Sequence, residues 1–334
     1  MPTSLTAPGI ASSGMSHSPG PQSSATSTPN SIQSGTPTGA GGSSPAASAA
    51  PNSELSLLPG VNVLLEGPTG TGKTHSIGTL VDTGVEVFFE ALESGMESLI
   101  GYWTDRGLPV PPNLHWHSMS TVAGGFQALA KSALDIGNNV QETLYKMQDM
   151  DRGRRNQFHN LLSQLTNFHD DRTGQKFGAV DSWGPNRAFV MDGLTGLGAF
   201  AMHMVVGQKP VRSQTDWGIA QDQVEKILRL LCDGCKCHFI LISHVEREVD
   251  AVMGGVKVTV SSLGKALPPK IPPMFSDVIL TERKGTNWTW STANPLCDLK
   301  TRNLPVAENI SPSFAEIISK WESRGGRFTA KVQA

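Results

Sequence analysis

The sequence predicts an α/β protein with a mostly parallel central sheet flanked by helices and an antiparallel extension towards the C-terminus. Three observations predict it. Residues 61–65, 85–89, 188–191 and 239–242 are short apolar runs rich in β-branched and aromatic side chains, the pattern of strands buried on both faces. Segments of helical character at 73–81 and 217–231 lie between such runs, and that alternation makes parallel neighbours. Three further short candidates, 278–280, 288–290 and 296–300, follow one another at hairpin spacing.

The chain has 334 residues, and its first 52 contain no Lys, Arg, Asp or Glu. They are mostly Ser, Thr, Pro, Gly and Ala, too poor in bulky apolar groups to offset chain entropy, so a disordered tail is expected over 1–52. All 27 basic and 29 acidic side chains fall in 53–334, the expected folded domain. A net charge of −2 excludes a globally basic nucleic-acid binder while leaving room for local basic loops. No apolar stretch approaches the roughly 20 residues that cross a bilayer, and no secretory or transit signature opens the chain. Four cysteines form no disulfide framework in a chain of this size, so a cytoplasmic setting is expected. Cys232, Cys235, Cys237 and His238 have zinc-like spacing but no second ligand pair.

In order along the chain, the run 61–65 ends in a glycine-rich turn and a helix opens at Lys73. Asp82-Thr83-Gly84 breaks that helix before the run 85–89, and 114–117 is a third strand candidate. A helical insertion is expected over about 125–170, interrupted by the basic stretch 151–155. The run 188–191 stops at Asp192. Residues 217–231 place Ile219, Val224, Ile227, Leu228 and Leu231 at helical spacing, and 239–242 ends at Ser243-His244. The stretch 249–275 is too long for an ordinary connection, which makes it a candidate functional loop.

The sharpest signal is Gly67-Pro68-Thr69-Gly70-Thr71-Gly72-Lys73-Thr74, which satisfies G-x-x-x-x-G-K-[ST] at every fixed position. Glycines let successive backbone N–H groups converge on phosphate oxygens at a helix N-terminus, where the helix dipole favours negative charge. Lys73 supplies a cation for the β- and γ-phosphates, and the Thr74 hydroxyl suits magnesium. The cofactors implied are ATP and Mg2+.

Such a site needs a carboxylate at the end of a neighbouring strand to hold the metal, and Asp192 is so placed. It is followed by Gly193 rather than Glu, so a water-activating carboxylate must come from elsewhere. Glu93 is the first candidate and Glu90 the second, both at the end of the run 85–89. One residue of register decides between them. His244, at the carboxyl end of a buried strand, faces the crevice in which ligands bind in parallel sheets.

Together these motifs resemble the RecA-like branch of P-loop ATPases, and more closely phage-encoded AAA-type/RecA-like ATP-binding proteins linked to single-strand annealing and recombination. The resemblance covers about residues 60–305. It rests on 67–74, on Glu93-Ser94-Gly95 with Leu99, on 189–195 and on 240–244. It implies Glu93 as catalytic base, Asp192 with Thr74 at the metal and His244 as the residue sensing the γ-phosphate. Lys300-Thr301-Arg302 resembles the Lys-x-Arg pair that ring ATPases of this superfamily insert into a neighbouring site, which implies a homo-oligomer, ring or filament. The loop 249–275 stands where such proteins touch single-stranded DNA, so Lys257, Lys265 and Lys270 become candidate DNA contacts; Arg152, Arg154 and Arg155 form a second basic group. The implied function is MgATP hydrolysis on single-stranded DNA in phage recombination or replication, in the cytoplasm of a bacterial host. A nucleotide-dependent protein scaffold or regulator without DNA contact, and a ring helicase motor, are the alternatives.

Overall fold

Every side chain from Val63 to Leu65 is fully buried, so this segment can lie only inside a sheet covered on both faces. It is the middle of β1 (Asn62–Glu66) in the computed structural model, which describes residues 58–119, 152–207, 212–249 and 254–328 and isolated helical positions between 126 and 134. The chain divides into two units, Met1–Asn52 and Ser53–Ala334, and the second contains everything described. The expected tail and most of the expected insertion before Arg152 lie outside the described residues.

After β1 come α1 (Lys73–Val81), β2 (Glu86–Ala91), α2 (Met96–Thr104) and β3 (Leu114–Ser118). The middle of the chain forms α3 (Arg152–Thr166), β4 (Arg187–Asp192), α4 (Leu194–Val206), α5 (Gln214–Arg229) and β5 (His238–Ser243). Four strands follow, β6 (Val245–Val249), β7 (Val256–Val260), β8 (Asp277–Lys284) and β9 (Asn287–Ser291), and then α6 (Phe314–Ser323).

Seven strands form one sheet in the order β3-β2-β4-β5-β1-β8-β9; all neighbours are parallel except β8 and β9, which pair antiparallel. The strand period of two sends alternate residues to opposite faces. Phe88, Phe189 and Phe239 join the core under α3, α4 and α5, while Val87, Val190 and Ile240 join the core under α1, α2 and α6. The helix after β1 therefore covers one face and the helices after β4 cover the other. A crevice opens at the carboxyl ends of the strands between them.

The register lines these ends up. Glu66 pairs with Ser243, Asp192 with Ile242 and Ala91 with Asp192, so the residues that leave β1, β2, β4 and β5 emerge side by side. At the other end, His238 is wholly buried, and its Nδ1 accepts a hydrogen bond from Val61 N–H at 3.1 Å. Burial pushes its pKa down to about 4, so the ring stays neutral in the core. The Trp321 indole seals that end by donating to the Pro59 carbonyl at 2.8 Å.

Several expectations change. The segment 296–300 is not a strand; it makes only isolated bridges from Cys297 to Val258 and from Lys300 to Val278. The stretch 249–275 is not a plain loop, because Val256–Val260 pairs antiparallel with Val245–Val249 in a separate two-stranded ribbon, and two short 3-10 turns follow. Helix α3 begins at Arg152, so residues 152–155 of the basic stretch are helical, while Asp151 and the residues just before it lie outside the described residues. Helices α4 and α6 carried no sequence reading: α4 is apolar on nearly every side, which erases helical periodicity, and α6 lies beyond the span of the resemblance.

Phe88 sits at the centre of an aromatic group, with ring centroids 4.2 Å from Trp183, 4.8 Å from Phe177 and 5.2 Å from Phe168. Phe88→Ala is expected to cost about 3–5 kcal/mol through lost transfer energy and the cavity left behind. Urea unfolding will show this as a lower midpoint with an unchanged slope.

Candidate functional site

The loop from Gly67 to Gly72 connects β1 to α1, and its glycines are required by its shape. Gly70 and Gly72 have φ of 77° and 80°, a region that L side chains rarely enter. Gly67 is required for a different reason, since a Cβ there would come 2.2 Å from the Thr281 hydroxyl oxygen. The loop is pinned from below: Thr71 Oγ1 and Thr281 Oγ1 share a buried hydrogen bond of 2.6 Å, and Gly67 N–H donates to the Ser243 carbonyl on β5.

Lys73 Nζ donates to the carbonyls of Gly67 and Pro68, both at 2.8 Å, so its ammonium lies within the loop. Burial lowers its pKa to about 8, with Asp192 and Glu93 pulling the other way. The Thr74 hydroxyl donates to Asp192 Oδ2 at 2.7 Å. The Asp192 carboxyl is pushed up to about 6 by burial, which the Thr74 hydrogen bond opposes. A desolvated carboxylate beside a hydroxyl is a donor set that suits a hard divalent cation, and Thr74 and Asp192 therefore fit magnesium.

Glu93 lies just past the end of β2. Its Oε1 accepts from Gly196 N–H at 3.0 Å, in the first turn of α4, and its Oε2 stands 3.4 Å from His244 Nε2. The hydrogen bond from His244 and that from the Gly196 amide hold its pKa below the usual glutamate value against burial, so Glu93 is ionised at neutral pH. Gly193 makes this possible: a Cβ there would come 2.7 Å from Glu93 Cγ. The glycine that stands after Asp192 in place of a second carboxylate is thus the space Glu93 occupies.

Glu90 is not part of this group. It projects to the same face of β2 as Phe88, is fully buried, and meets His117 Nδ1 at 2.8 Å. Burial raises its pKa to about 7, with His117 opposing. Of the two candidate glutamates, only Glu93 meets His244 and stands near Lys73 and Asp192, because it lies past the end of β2 at the crevice while Glu90 lies buried within the strand.

Lys300 and Arg302 lie at the opposite end of the strands, beside the first residues of β1 and β8. Lys300 Nζ donates to the Phe275 carbonyl at 2.7 Å, and the Arg302 backbone N–H donates to Asp277, the first residue of β8, at 2.8 Å. With Arg229, Lys270 and Asp233 they line a cavity of about 390 Å³, away from the loop of their own chain. Among the candidate DNA contacts, Lys257 pairs with Asp298 at 2.9 Å, Lys270 with Glu225 at 2.9 Å and Lys265 with Glu248 at 4.0 Å. Each lysine charge therefore has a carboxylate beside it. The side chains of Arg152, Arg154 and Arg155 lie outside the described residues.

No family model matches the chain, and no curated protein matches it. Its fold is similar to that of the flagellar accessory protein FlaH from Methanocaldococcus jannaschii. The two are 11% identical over 70% of this chain and 77% of that one, with a TM-score of 0.26. At that distance, function has to be argued from the site's own geometry. Among the described residues no helix is long and apolar enough to cross a membrane.

One group escaped the sequence reading. Glu66, the last residue of β1, is buried, and burial reinforced by Asp298 raises its pKa to about 8. Because its pKa is higher in the folded chain than in the unfolded one, its contribution to stability is complete below the ordinary glutamate pKa and is lost as pH rises towards 8. Glu66→Gln should remove this dependence. The stability difference between variant and wild type is expected to grow in the variant's favour from pH 5 to pH 8 and then level off, as read from unfolding midpoints across that range.

Proposed function

We propose that this protein is a RecA-like ATPase that binds MgATP at Gly67–Thr74 and hydrolyses it with Glu93 as general base. One observation carries the reading: the Thr74–Asp192 hydrogen bond and the Glu93–His244 contact converge beside a glycine-rich loop at the carboxyl ends of β1, β2, β4 and β5. That is a phosphate-binding turn, a metal donor pair and an ionised base in one crevice.

The roles follow from the residues. Loop amides from Thr69 to Thr74 hold the phosphates and Lys73 adds its positive charge, exchanging its two carbonyl partners for phosphate oxygens. Thr74 and Asp192 would hold magnesium, which when bound would supply positive charge to the phosphates. Glu93 takes the proton from water and is oriented for this by Gly196 and His244, so that it accepts along a fixed direction. His244, bonded to Glu93, reports the state of that carboxylate to the ribbon that begins at Val245.

In this reading Lys300 and Arg302 act on a neighbouring subunit's nucleotide within a ring or filament, because their place at the amino ends of the strands, opposite the loop, leaves them no role at their own loop. Single-stranded DNA in phage recombination or replication is the proposed polymer substrate. The carboxylates beside Lys257, Lys265 and Lys270 favour a second reading, a nucleotide-dependent protein scaffold or regulator.

Lys73→Ala is expected to abolish ATP binding, whereas Glu93→Gln should retain binding and lose at least about a hundredfold in turnover, as measured by calorimetry and phosphate release. Undiminished turnover in either variant refutes the site. Single-stranded DNA should raise the ATPase rate at low salt and do so less at high salt, because phosphate contacts release counterions. A rate indifferent to DNA at both salt concentrations selects the scaffold reading.

A further inference from the structure

The β8–β9 hairpin turns at Gly285, whose φ is 64°, and sends Trp288 and Trp290 to the same face of β9. Trp290 is buried, with its ring 5.2 Å from Phe314. Trp288, two residues earlier, hangs beyond the core and leans on the phosphate loop. Its Nε1 donates to the Gly70 carbonyl at 3.2 Å. The indole lies so close to Gly72 that a Cβ there would come 2.6 Å from Cδ2. Beyond it stands His75, 4.7 Å between ring centroids, and His75 in turn meets Tyr102 edge-on at 5.0 Å. Three rings thus run in a row along the first turn of α1, beside the glycines whose amides face the phosphates.

Trp288 is 37% exposed, a large apolar surface left in water at a place where the chain could have used any polar residue. The hydrogen bond to Gly70 fixes the plane of the ring, and a base needs a fixed flat face on which to stack. The other flank of the loop offers no such surface. A cavity of about 580 Å³ opens there, lined by aliphatic Val245, Val256 and Leu280 with Arg247, Glu282 and Arg283, and by no aromatic ring. We propose that Trp288 is the stacking platform for the base of the bound nucleotide, with His75 and Tyr102 backing it. This rests on the nucleotide reading above and goes further, because it assigns the nucleoside half to the α1 flank. Stacking tolerates any base, so selectivity among nucleoside triphosphates at this platform is weak and follows ring area.

The test separates the base from the phosphates. Binding of ATP and of inorganic tripolyphosphate, each with Mg2+, is measured by calorimetry on wild type, Trp288→Ala and Trp288→Phe. Trp288→Ala is expected to weaken ATP roughly tenfold and leave tripolyphosphate within about twofold, and Trp288→Phe, which keeps a ring but loses the N–H, to recover most of the ATP affinity. Equal loss for both ligands means that the indole only props the loop and overturns the proposal, as does unchanged ATP affinity in Trp288→Ala. A wild type that binds neither ligand sinks the nucleotide reading itself. Should Trp288→Ala not fold, tryptophan emission decides: quenching by ATP but not by tripolyphosphate, absent in Trp288→Phe, supports stacking, and its absence from wild type overturns it.

Discussion

The hydrogen bond from Thr74 to Asp192 joins residues 118 positions apart in sequence, and the working arrangement of the crevice depends on it. It ties the first turn of α1 to the end of β4 across the width of β5. It can form because the parallel register places Leu65, Ile242 and Asp192 at one level, one residue before the loop begins to leave β1. A one-residue slip in any of three strands would move the carboxylate out of reach and turn an apolar side chain towards the crevice. The rigidity of the sheet, with its fully buried central strands, is therefore the condition for chemistry at its edge.

That arrangement strains the electrostatics of the fold. Asp192 and Lys73 are both shifted towards their neutral forms by burial, and Glu66 stands in the same condition one residue before the loop. Ionised groups held this far from water are a cost that a purely structural core would avoid. Of the carboxylates Glu66, Glu93 and Asp192, Glu93 alone is held below its ordinary pKa, because its partners are an amide at a helix start and a histidine.

Local chemistry was legible in the sequence, and long-range placement was not. Gly67–Thr74 announces itself, because a turn of that shape demands glycine at fixed positions. Strands β1, β2, β4 and β5 could be read from unbroken apolar runs. The choice between Glu93 and Glu90 could not be made, since the answer lies in where β2 ends, with Glu90 buried inside it and Glu93 beyond it. Gly193 looked like a missing carboxylate and is instead room for one. The pairing of Val256–Val260 with Val245–Val249 was hidden by exposure: a ribbon in water carries no buried alternation to read. The run 296–300 has strand-like composition, yet Lys300 and Thr301 are engaged with Phe275 and Asp277 rather than with a ladder.

The two-stranded ribbon begins one residue after β5 ends, and the residue between is His244, whose backbone carbonyl accepts from Ser261 N–H just past β7. Its imidazole touches Glu93 while its main chain joins the sheet to the ribbon. Both strands of the ribbon are therefore anchored at the residue whose side chain meets Glu93.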